Sequence, residues 1–509
     1  MNKSKKSNIY DILSVSLLVL IAVFSLMRFS YLPQFIDAYY HLSCAHGFIK
    51  SGGWTSIDWW DFSPVGRPHL YPPFYHFILV CLISIGIDGL TVLRITEVTI
   101  LPLFFFVLWY VFRKDISSFF SFLLLVISSS FFSFYSSVTS NIPASLAIIS
   151  GVLSWHFLKR KRIISSILFL SLSFYTHAGI PWVFVVSLLA LCLLNNRERR
   201  NSLLVASGAV ALASPLIMHE LRYISYVNLT ILREVKFIHC SVIIVILGVI
   251  ALFYFCKKKD FFSLVFLGYT VGSSIVFFKY PYRFFSAQGI LGLCMLIAYF
   301  WDNIINKFSI SKRLLIVISM VVSFFFIHPT IDLDNGKVRY NLFNSTYYNF
   351  ASGKFIEMFE FNTLFSPRFY NSLIEAVKSY THTNDIVSSN IPAFSQIIAA
   401  LSNRPTSSSI MVEVESFRKT PDYRFAKALV WIKPDFDKLE YWMKKLNLVV
   451  VYENKIGVVL LNPACDRKQH PLKASISFKM VSFYAVFFLF IFIIDNVKIL
   501  KERNCSYKE

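Results

Sequence analysis

IPASLAIISGVLSWHFLKRKR, Ile142–Arg162, is an apolar run that ends in four consecutive bases. Its length approaches the roughly 20 residues an α-helix needs to cross the hydrocarbon core of a bilayer. Its basic end is the mark of a helix leaving the membrane on the cytoplasmic side, where Lys and Arg are retained. One stretch therefore predicts a span and gives it a direction.

The pattern repeats along the chain. Lys3, Lys5 and Lys6 put the N-terminus inside, and the first span runs over Ile9–Arg28. A long outer segment follows, over about residues 30–89, and its apolar part Pro72–Ile87 reads as a juxtamembrane helix. Spans over Leu90–Phe112, Ser117–Tyr135 and Ile142–Leu158 come next. Further spans reach His177, Arg197, Met218, Lys257, Lys279, Lys307 and His328 in turn, and a final span covers Ile476–Asn496. This threading of about twelve spans puts every major basic cluster inside, both termini included. If Pro72–Ile87 crossed as well, the register would invert and the clusters would face outside. Three units are predicted: a transmembrane part over 1–328, an outer domain over 329–475, and a last span with a basic tail over 476–509. The first span lacks a small-residue cleavage site and reads as an uncleaved anchor.

Composition agrees. Of 509 residues, 56% are hydrophobic and only 16% charged, and mean hydropathy is +0.58. Soluble domains carry about 25% charged residues. The net charge of +21 resides in short clusters between apolar runs, which argues against nucleic acid as a partner. Eight Cys occur without CxxC spacing. Cys44 and Cys465 both fall outside, and whether they pair is left open by the sequence.

The outer domain has an α/β pattern. Helices are predicted over Asn371–Ser379, Ala393–Leu401, Asp422–Trp431 and Phe436–Lys445. Strands are predicted over Asp385–Ser388, Leu448–Tyr452 and Ile456–Leu461, the last two joined as a hairpin at Asn454. The fold class is thus mainly α: a polytopic helical membrane protein with a C-terminal extracytoplasmic α/β domain.

Polar residues converge on the outer side. Asp37 stands in Phe35-Ile36-Asp37-Ala38-Tyr39-Tyr40-His41, directly after the first span. It suits a general base or a cation ligand, and equally an N-cap for a helix starting at Ala38. His41 lies four residues on, on the same helix face; an ordinary interfacial histidine is the alternative. Trp59 and Trp60 read as an aromatic belt at headgroup depth. Arg67 and His69, in Gly66-Arg67-Pro68-His69-Leu70-Tyr71-Pro72-Pro73, suit a phosphate or a sugar hydroxyl. Arg283 follows Tyr280-Pro281-Tyr282 and suits phosphate through its planar fork of donors, or snorkelling to headgroups. Asn141, His177 and Glu220 are further outward-facing candidates. GxGxxG, GxxxxGK[ST] and HExxH are all absent from the sequence.

One basic-inside span, then Asp37-Ala38-Tyr39-Tyr40-His41, then Gly66-Arg67-Pro68-His69-Leu70-Tyr71-Pro72-Pro73, resembles the GT-C superfamily of membrane glycosyltransferases. The likeness is greatest to the catalytic subunit of archaeal and bacterial oligosaccharyltransferase. The resemblance implies that Asp37 matches the family's first-loop catalytic acid, which supports metal binding (Mg2+ or Mn2+) and acceptor activation. It implies that Arg283 contacts the lipid-linked phosphate. Glu220 or Glu234 would stand for the acidic residue of the family's mobile outer loop. Two departures stand out. The family's second acidic motif falls where this chain reads Thr139-Ser140-Asn141-Ile142-Pro143, without a carboxylate. The Trp-Trp-Asp-Tyr-Gly motif that reads a protein acceptor falls where the chain reads Ser388-Ser389-Asn390-Ile391-Pro392-Ala393.

The first expectation is an inverting glycosyltransferase at the cell membrane. It moves a sugar from a polyprenyl-(di)phosphate donor to an extracytoplasmic glycan, lipid or protein, with Asp37 and His41 catalytic. Arg283, helped by Arg67 or His69, holds the donor phosphate. The alternatives are an oligosaccharyltransferase for asparagine with a diverged acceptor motif, and a non-catalytic scaffold or transporter. Asn228-Leu229-Thr230 and Asn344-Ser345-Thr346 are sequons expected to face outside.

Overall fold

The computed structural model describes residues 9–33, 35–227, 238–305, 307–334, 336–353, 367–410, 422–433, 436–465 and 473–505. A helix lies over each segment read as a span: Ile9–Met27, Gly89–Asp115, Ser118–Ser130, Ile142–Lys159, Ile163–Phe174, Ile180–Leu194, Arg199–Arg222, Val242–Phe255, Phe261–Val276, Ala287–Ile305, Ile310–Val322 and Phe478–Cys505. Among the described residues, six helices are long and apolar enough to cross a membrane unaided, and shorter apolar helices lie between them. The Ser117–Tyr135 segment is broken: one helix ends at Ser130 and a second covers Phe132–Ser140. Phe74–Ser84, within the predicted juxtamembrane stretch, is an 11-residue helix.

Polar residues start several of these helices. The side chains of Asp88, Ser117, Asn141, Ser241 and Asp260 each accept a backbone N–H from the first turn that follows. Each such cap contributes about 0.5–2 kcal/mol.

Two helices meet through glycine. Gly268 and Gly272 lie four apart on Phe261–Val276, a spacing that puts both on one face. A Cβ on Gly268 would stand 2.6 Å from Ser187 Cα, and one on Gly272 would stand 3.0 Å from Val183 O. Only glycine lets Phe261–Val276 press this closely on Ile180–Leu194, the small-residue mode of packing common in membranes.

Polar contacts gather the basic ends of the helices. Arg113 holds Asp11 through two bonds of 2.5 and 2.8 Å, and Lys161 reaches Glu198 at 2.5 Å. Asn195 donates to Lys259 O at 2.9 Å, and Asp495 of the last helix accepts from Ser165. The opposite end carries the residues after each rising helix, the segment 35–89 and the C-terminal sheet.

That sheet has four strands in the order Val387–Ser389, Ala428–Ile432, Gly457–Leu461, Val449–Glu453. The first pair is parallel and the others antiparallel. Helices Pro367–Tyr380, Pro392–Ser402 and Phe436–Leu446 accompany it. Asn454 makes the hairpin turn, its side chain accepting from Ile456 and Gly457 N–H. The helix predicted over Asp422–Trp431 does not form. Ala428–Ile432 is instead a fully buried strand paired on both sides. A continuous Ala-Leu-Val-Trp-Ile run suits burial on both faces, and its length is that of a strand. Buried residues Tyr370, Val387, Ile397, Val430 and Val459 belong to the same hydrophobic core as the helices of the bundle.

Two short pairings tie the chain across its length. Gly53–Trp54 pairs with Ile476–Ser477 at the start of the last helix, and Ile57–Asp58 pairs with Arg67–Pro68. Gly66 turns that ribbon at φ +73°, where a Cβ would also meet the Trp59 ring at 2.5 Å.

Candidate active site

Helix Ile36–Ser51 is the spine of the site. It begins two residues earlier than the cap reading of Asp37 requires: Phe35 is the extended cap residue, and Asp37 sits inside the first turn. An exposed carboxylate there is stabilised by the helix N-terminus. One turn on, His41 is buried, with Nδ1 2.9 Å from His76 Nε2 on Phe74–Ser84. Burial, and next the nearby His69, push the His41 pKa down to about 3, so the ring is neutral at physiological pH.

Tyr71 continues this wall. Its ring lies 4.9 Å from His41 and 6.3 Å from His177, edge to face in both cases. His177 precedes helix Ile180–Leu194, and its Nδ1 accepts from Gly179 N–H at 3.0 Å and Ile180 N–H at 3.3 Å. With Nδ1 an acceptor, the proton of the neutral ring sits on Nε2. Burial, with Arg283 and His41 adding to it, lowers the His177 pKa to about 3 and keeps the ring neutral. Nε2 stands 3.5 Å from Arg283 Nη1. Arg283 rides on the short helix Pro281–Phe284, and its Nε donates to Tyr282 Oη at 3.2 Å. His177 lies just before one glycine-packed helix and Arg283 just beyond the end of the other, so the glycine contact helps bring the two segments together.

Arg67 is placed differently from a surface phosphate ligand. It is fully enclosed, and its Nη2 donates to Tyr40 Oη at 2.9 Å, Asp58 Oδ2 at 3.1 Å and Asp61 Oδ2 at 3.2 Å. It pins the first outer segment from within. Burial opposes the Asp58 charge most strongly, yet Arg67, His69 and the Trp60 N–H together outweigh it and draw that carboxyl below the usual range. Burial, and then the neighbouring Asp58 charge, raise the Asp61 carboxyl. His69 is buried beside them, its Nδ1 3.6 Å from Asp58 Oδ2, and burial lowers its pKa. Trp60 is likewise buried, against Gly47, and so forms no headgroup belt.

The C-terminal part closes this cluster. Ser409 Oγ donates to Asp61 Oδ2 at 3.2 Å, and Gln396 Nε2 lies 3.5 Å from Asp61 Oδ1. Thr406 exchanges backbone bonds with Trp60 and Ser63 at 2.9 and 2.8 Å. His46 Nε2 reaches Ala400 O at 3.1 Å.

The other candidates are dispersed. Asn141 caps Ile142–Lys159 through Ala144 N–H. His219 donates to His69 O at 2.9 Å. Glu220, beside it, has a buried Oε1 with no hydrogen-bond partner among the described residues. Glu234 lies outside the described residues. Cys44 and Cys465 are free thiols, one buried and one half-buried. His76, Tyr71, Gln396 and Ser409 were not singled out in the sequence. A histidine within the apolar run Phe74–Ser84 was the available signal for His76.

Asp37 is not part of the three-residue cluster that could hold an ion. Among the described residues, the one group of His, Cys, Asp or Glu able to hold an ion is Cys44, Asp58 and His69, which excludes Asp37.

No protein-family model matches the chain, and no curated protein matches it by sequence. Solved structures do. The archaeal oligosaccharyltransferase AglB from Archaeoglobus fulgidus, in complex with an inhibitory peptide and a dolichol-phosphate, superposes with a TM-score of 0.52 at 10% identity, over 82% of this chain and 69% of its own. ArnT from Cupriavidus metallidurans, bound to undecaprenyl phosphate, superposes with a TM-score of 0.55 at 11% identity, over 90% of this chain and 99% of its own. The fold is that of the GT-C glycosyltransferases. At such identities the likeness is one of fold. The same oligosaccharyltransferase in complex with Zn and sulfate superposes with a TM-score of 0.51 at 10% identity, over 88% of this chain and 73% of its own.

Proposed function

We propose that this chain is a multi-pass membrane glycosyltransferase that takes a sugar from a polyprenyl-phosphate or polyprenyl-diphosphate carrier. The observation that carries this reading is the donor pair. His177 Nε2–H and the Arg283 guanidinium stand 3.5 Å apart. Two donors this close are complementary to an anion, and a phosphate oxygen between them would accept from both. Dolichol-phosphate and undecaprenyl phosphate in the two structural neighbours favour the same class of ligand.

In the proposed reaction an acceptor hydroxyl or amide attacks the anomeric carbon from the face opposite the phosphate. The carbon–oxygen bond to the carrier breaks, and the carrier phosphate leaves with the electron pair. Arg283 and His177 stabilise the charge gained by the leaving group. Asp37, exposed at the start of the spine helix, takes the acceptor proton. His41, held neutral by burial, orients this wall through His76 and Tyr71. Arg67 and His69 serve by shaping the first segment. No step is assigned to a metal ion.

A lipid carrier keeps its phosphate at headgroup depth, so the site must lie there. The charge pattern puts the basic helix ends and both termini in the cytoplasm and the site outside. Residues 329–475 would form the extracytoplasmic domain that orients a glycan, lipid or protein acceptor. The sequence lacks the Trp-Trp-Asp-Tyr-Gly acceptor motif, which favours an acceptor other than asparagine.

The test is mass spectrometry of lipid-linked sugars and surface glycans in cells with the intact protein, none, Asp37→Asn or Arg283→Ala. Loss of one glycan in all three altered lines, with its lipid-linked donor accumulating, is expected. Unchanged glycans in the deletion line would overturn the transferase reading in favour of a scaffold or transporter.

A further inference from the structure

Behind the wall of the site, the buried cluster holds atoms that its ion pairs leave unexplained. Cys44 Sγ lies 3.7 Å from Asp58 Oδ2, and His69 Nδ1 lies 3.6 Å from the same oxygen. All three ligand atoms fall within 4.8 Å of one another, and all three residues are buried. Among the described residues, neither ring nitrogen of His69 has a hydrogen-bond partner, and both are sealed from solvent. A buried nitrogen lone pair left unpaired is destabilising, and a cation seated between these three atoms would take it up.

We propose that Cys44, Asp58 and His69 bind a single thiophilic divalent metal ion, zinc being the best match. Zinc bonds of about 2.0–2.3 Å in a tetrahedron put neighbouring ligand atoms about 3.3–3.8 Å apart. The two edges at Asp58 Oδ2 have that length. Thiolate, imidazole and carboxylate are zinc's own ligand types, and the thiolate disfavours magnesium and calcium.

The surroundings fit an ion. Asp58 Oδ1 accepts from Trp60 and Asp61 N–H at 2.9 and 3.3 Å, and Arg67 holds Oδ2, so the carboxylate is already oriented. The His69 backbone is fixed at both ends, its N–H donating to Ser56 O and its carbonyl accepting from His219. With both carboxylates ionised, Asp58, Asp61 and Arg67 sum to one negative charge. The ion enters with two positive charges, and the Cys44 thiol loses its proton to solvent as the metal–sulfur bond forms. The cluster is then neutral. His76 lies nearby but outside this group: its ring is 5.5 Å from that of His69, and its Nδ1 is buried without a hydrogen-bond partner among the described residues. The ion would clip helix Ile36–Ser51 to the ribbon of Ile57–Asp58 and Arg67–Pro68, whatever reaction the protein performs.

The test uses the full chain in detergent, purified through a tag without histidine. Elemental analysis of the wild type is expected to find one zinc ion per chain, and Cys44→Ser or His69→Gln to lower that content at least about tenfold. Cobalt added to chelator-stripped wild type is expected to give a sulfur-to-metal absorption band in the near ultraviolet, absent in Cys44→Ser. Zinc, but not magnesium, is expected to restore the Tm lost on stripping, a readout that survives if the variants fail to fold. Wild type that carries no zinc, shows no cobalt–thiolate band and does not respond to zinc in Tm would overturn the site. Zinc retained in full by both variants would overturn it too.

Discussion

Arg283 Nη1 lies 3.5 Å from His177 Nε2, and both atoms are hydrogen-bond donors, because two backbone N–H groups claim the His177 Nδ1 lone pair. Such a pair is complementary to an anion. Arg283→Ala should therefore lower kcat/KM for a lipid-linked donor about a hundred- to a thousandfold, the usual cost of one leaving-group contact. Arg283→Lys should recover part of it, since a point charge replaces a fork. A transfer assay on purified membranes reads both, and full activity in Arg283→Ala would refute the clamp.

The glycine contact predicts a distant effect. Gly272→Val would drive a side chain into Val183 O, 3.0 Å from the Cβ position. The helices must part, and the His177–Arg283 spacing with them. The expected result is a larger loss of kcat than of folded protein, compared by assay and by size-exclusion yield. Misplacement of about 1 Å can cost about a hundredfold in rate.

Asp37→Asn should abolish transfer and leave the fold almost untouched. The side chain is exposed, and removing its charge from the first helical turn costs about 0.3–1 kcal/mol. An unchanged transfer rate would remove Asp37 from the role of base.

Arg67→Met should behave in the opposite way. It strands Asp58 and Asp61, both enclosed, and breaking a buried pair costs about 3–5 kcal/mol. A sharp fall in yield and Tm is expected. A normal Tm would show that the pin is dispensable.

Acid should destabilise the protein through His177. Its pKa is about 3 in the fold, against 6.5 for the free side chain. Above the unfolded value neither state holds the proton, and nothing is lost. Below it the unfolded chain takes up a proton the folded chain refuses, so stability falls with pH down to about 3. The contribution is at most about 1.4 kcal/mol per pH unit. His177→Gln keeps an acceptor for the two N–H groups and should flatten the dependence of Tm on pH across that window. An identical slope would assign the acid sensitivity to other groups.

The helical frame was legible because hydropathy and charge are written locally. The basic clusters that closed predicted spans lie near helix ends or in the turns between helices, and Phe74–Ser84 is a short separate helix within Pro72–Ile87. The strand Ala428–Ile432 was misread because a short apolar run gives no period to tell strand from helix once both faces are buried. Asp37 and Arg283 were legible as candidates through the family resemblance, and His177 through its placement. The use of Arg67 was not legible. Its partners Asp58 and Asp61 were visible nearby, but nothing local says that a Ser and a Gln from the far end of the chain will cover them. Long-range enclosure decides whether a charge meets ligand or partner.

The Ser409–Asp61 bond joins residues 348 positions apart. A ribosome therefore completes most of the chain before this carboxylate acquires its cover. Until then Asp58, Asp61 and Arg67 have only partners from their own segment, such as Tyr40, and that segment remains open to water. Contacts so remote in sequence form slowly, because loop closure precedes any reward. The segment that bears the proposed base is thus among the last parts of the molecule to set. A truncated or stalled chain would carry a bundle of helices whose outer segment still lacks its cover.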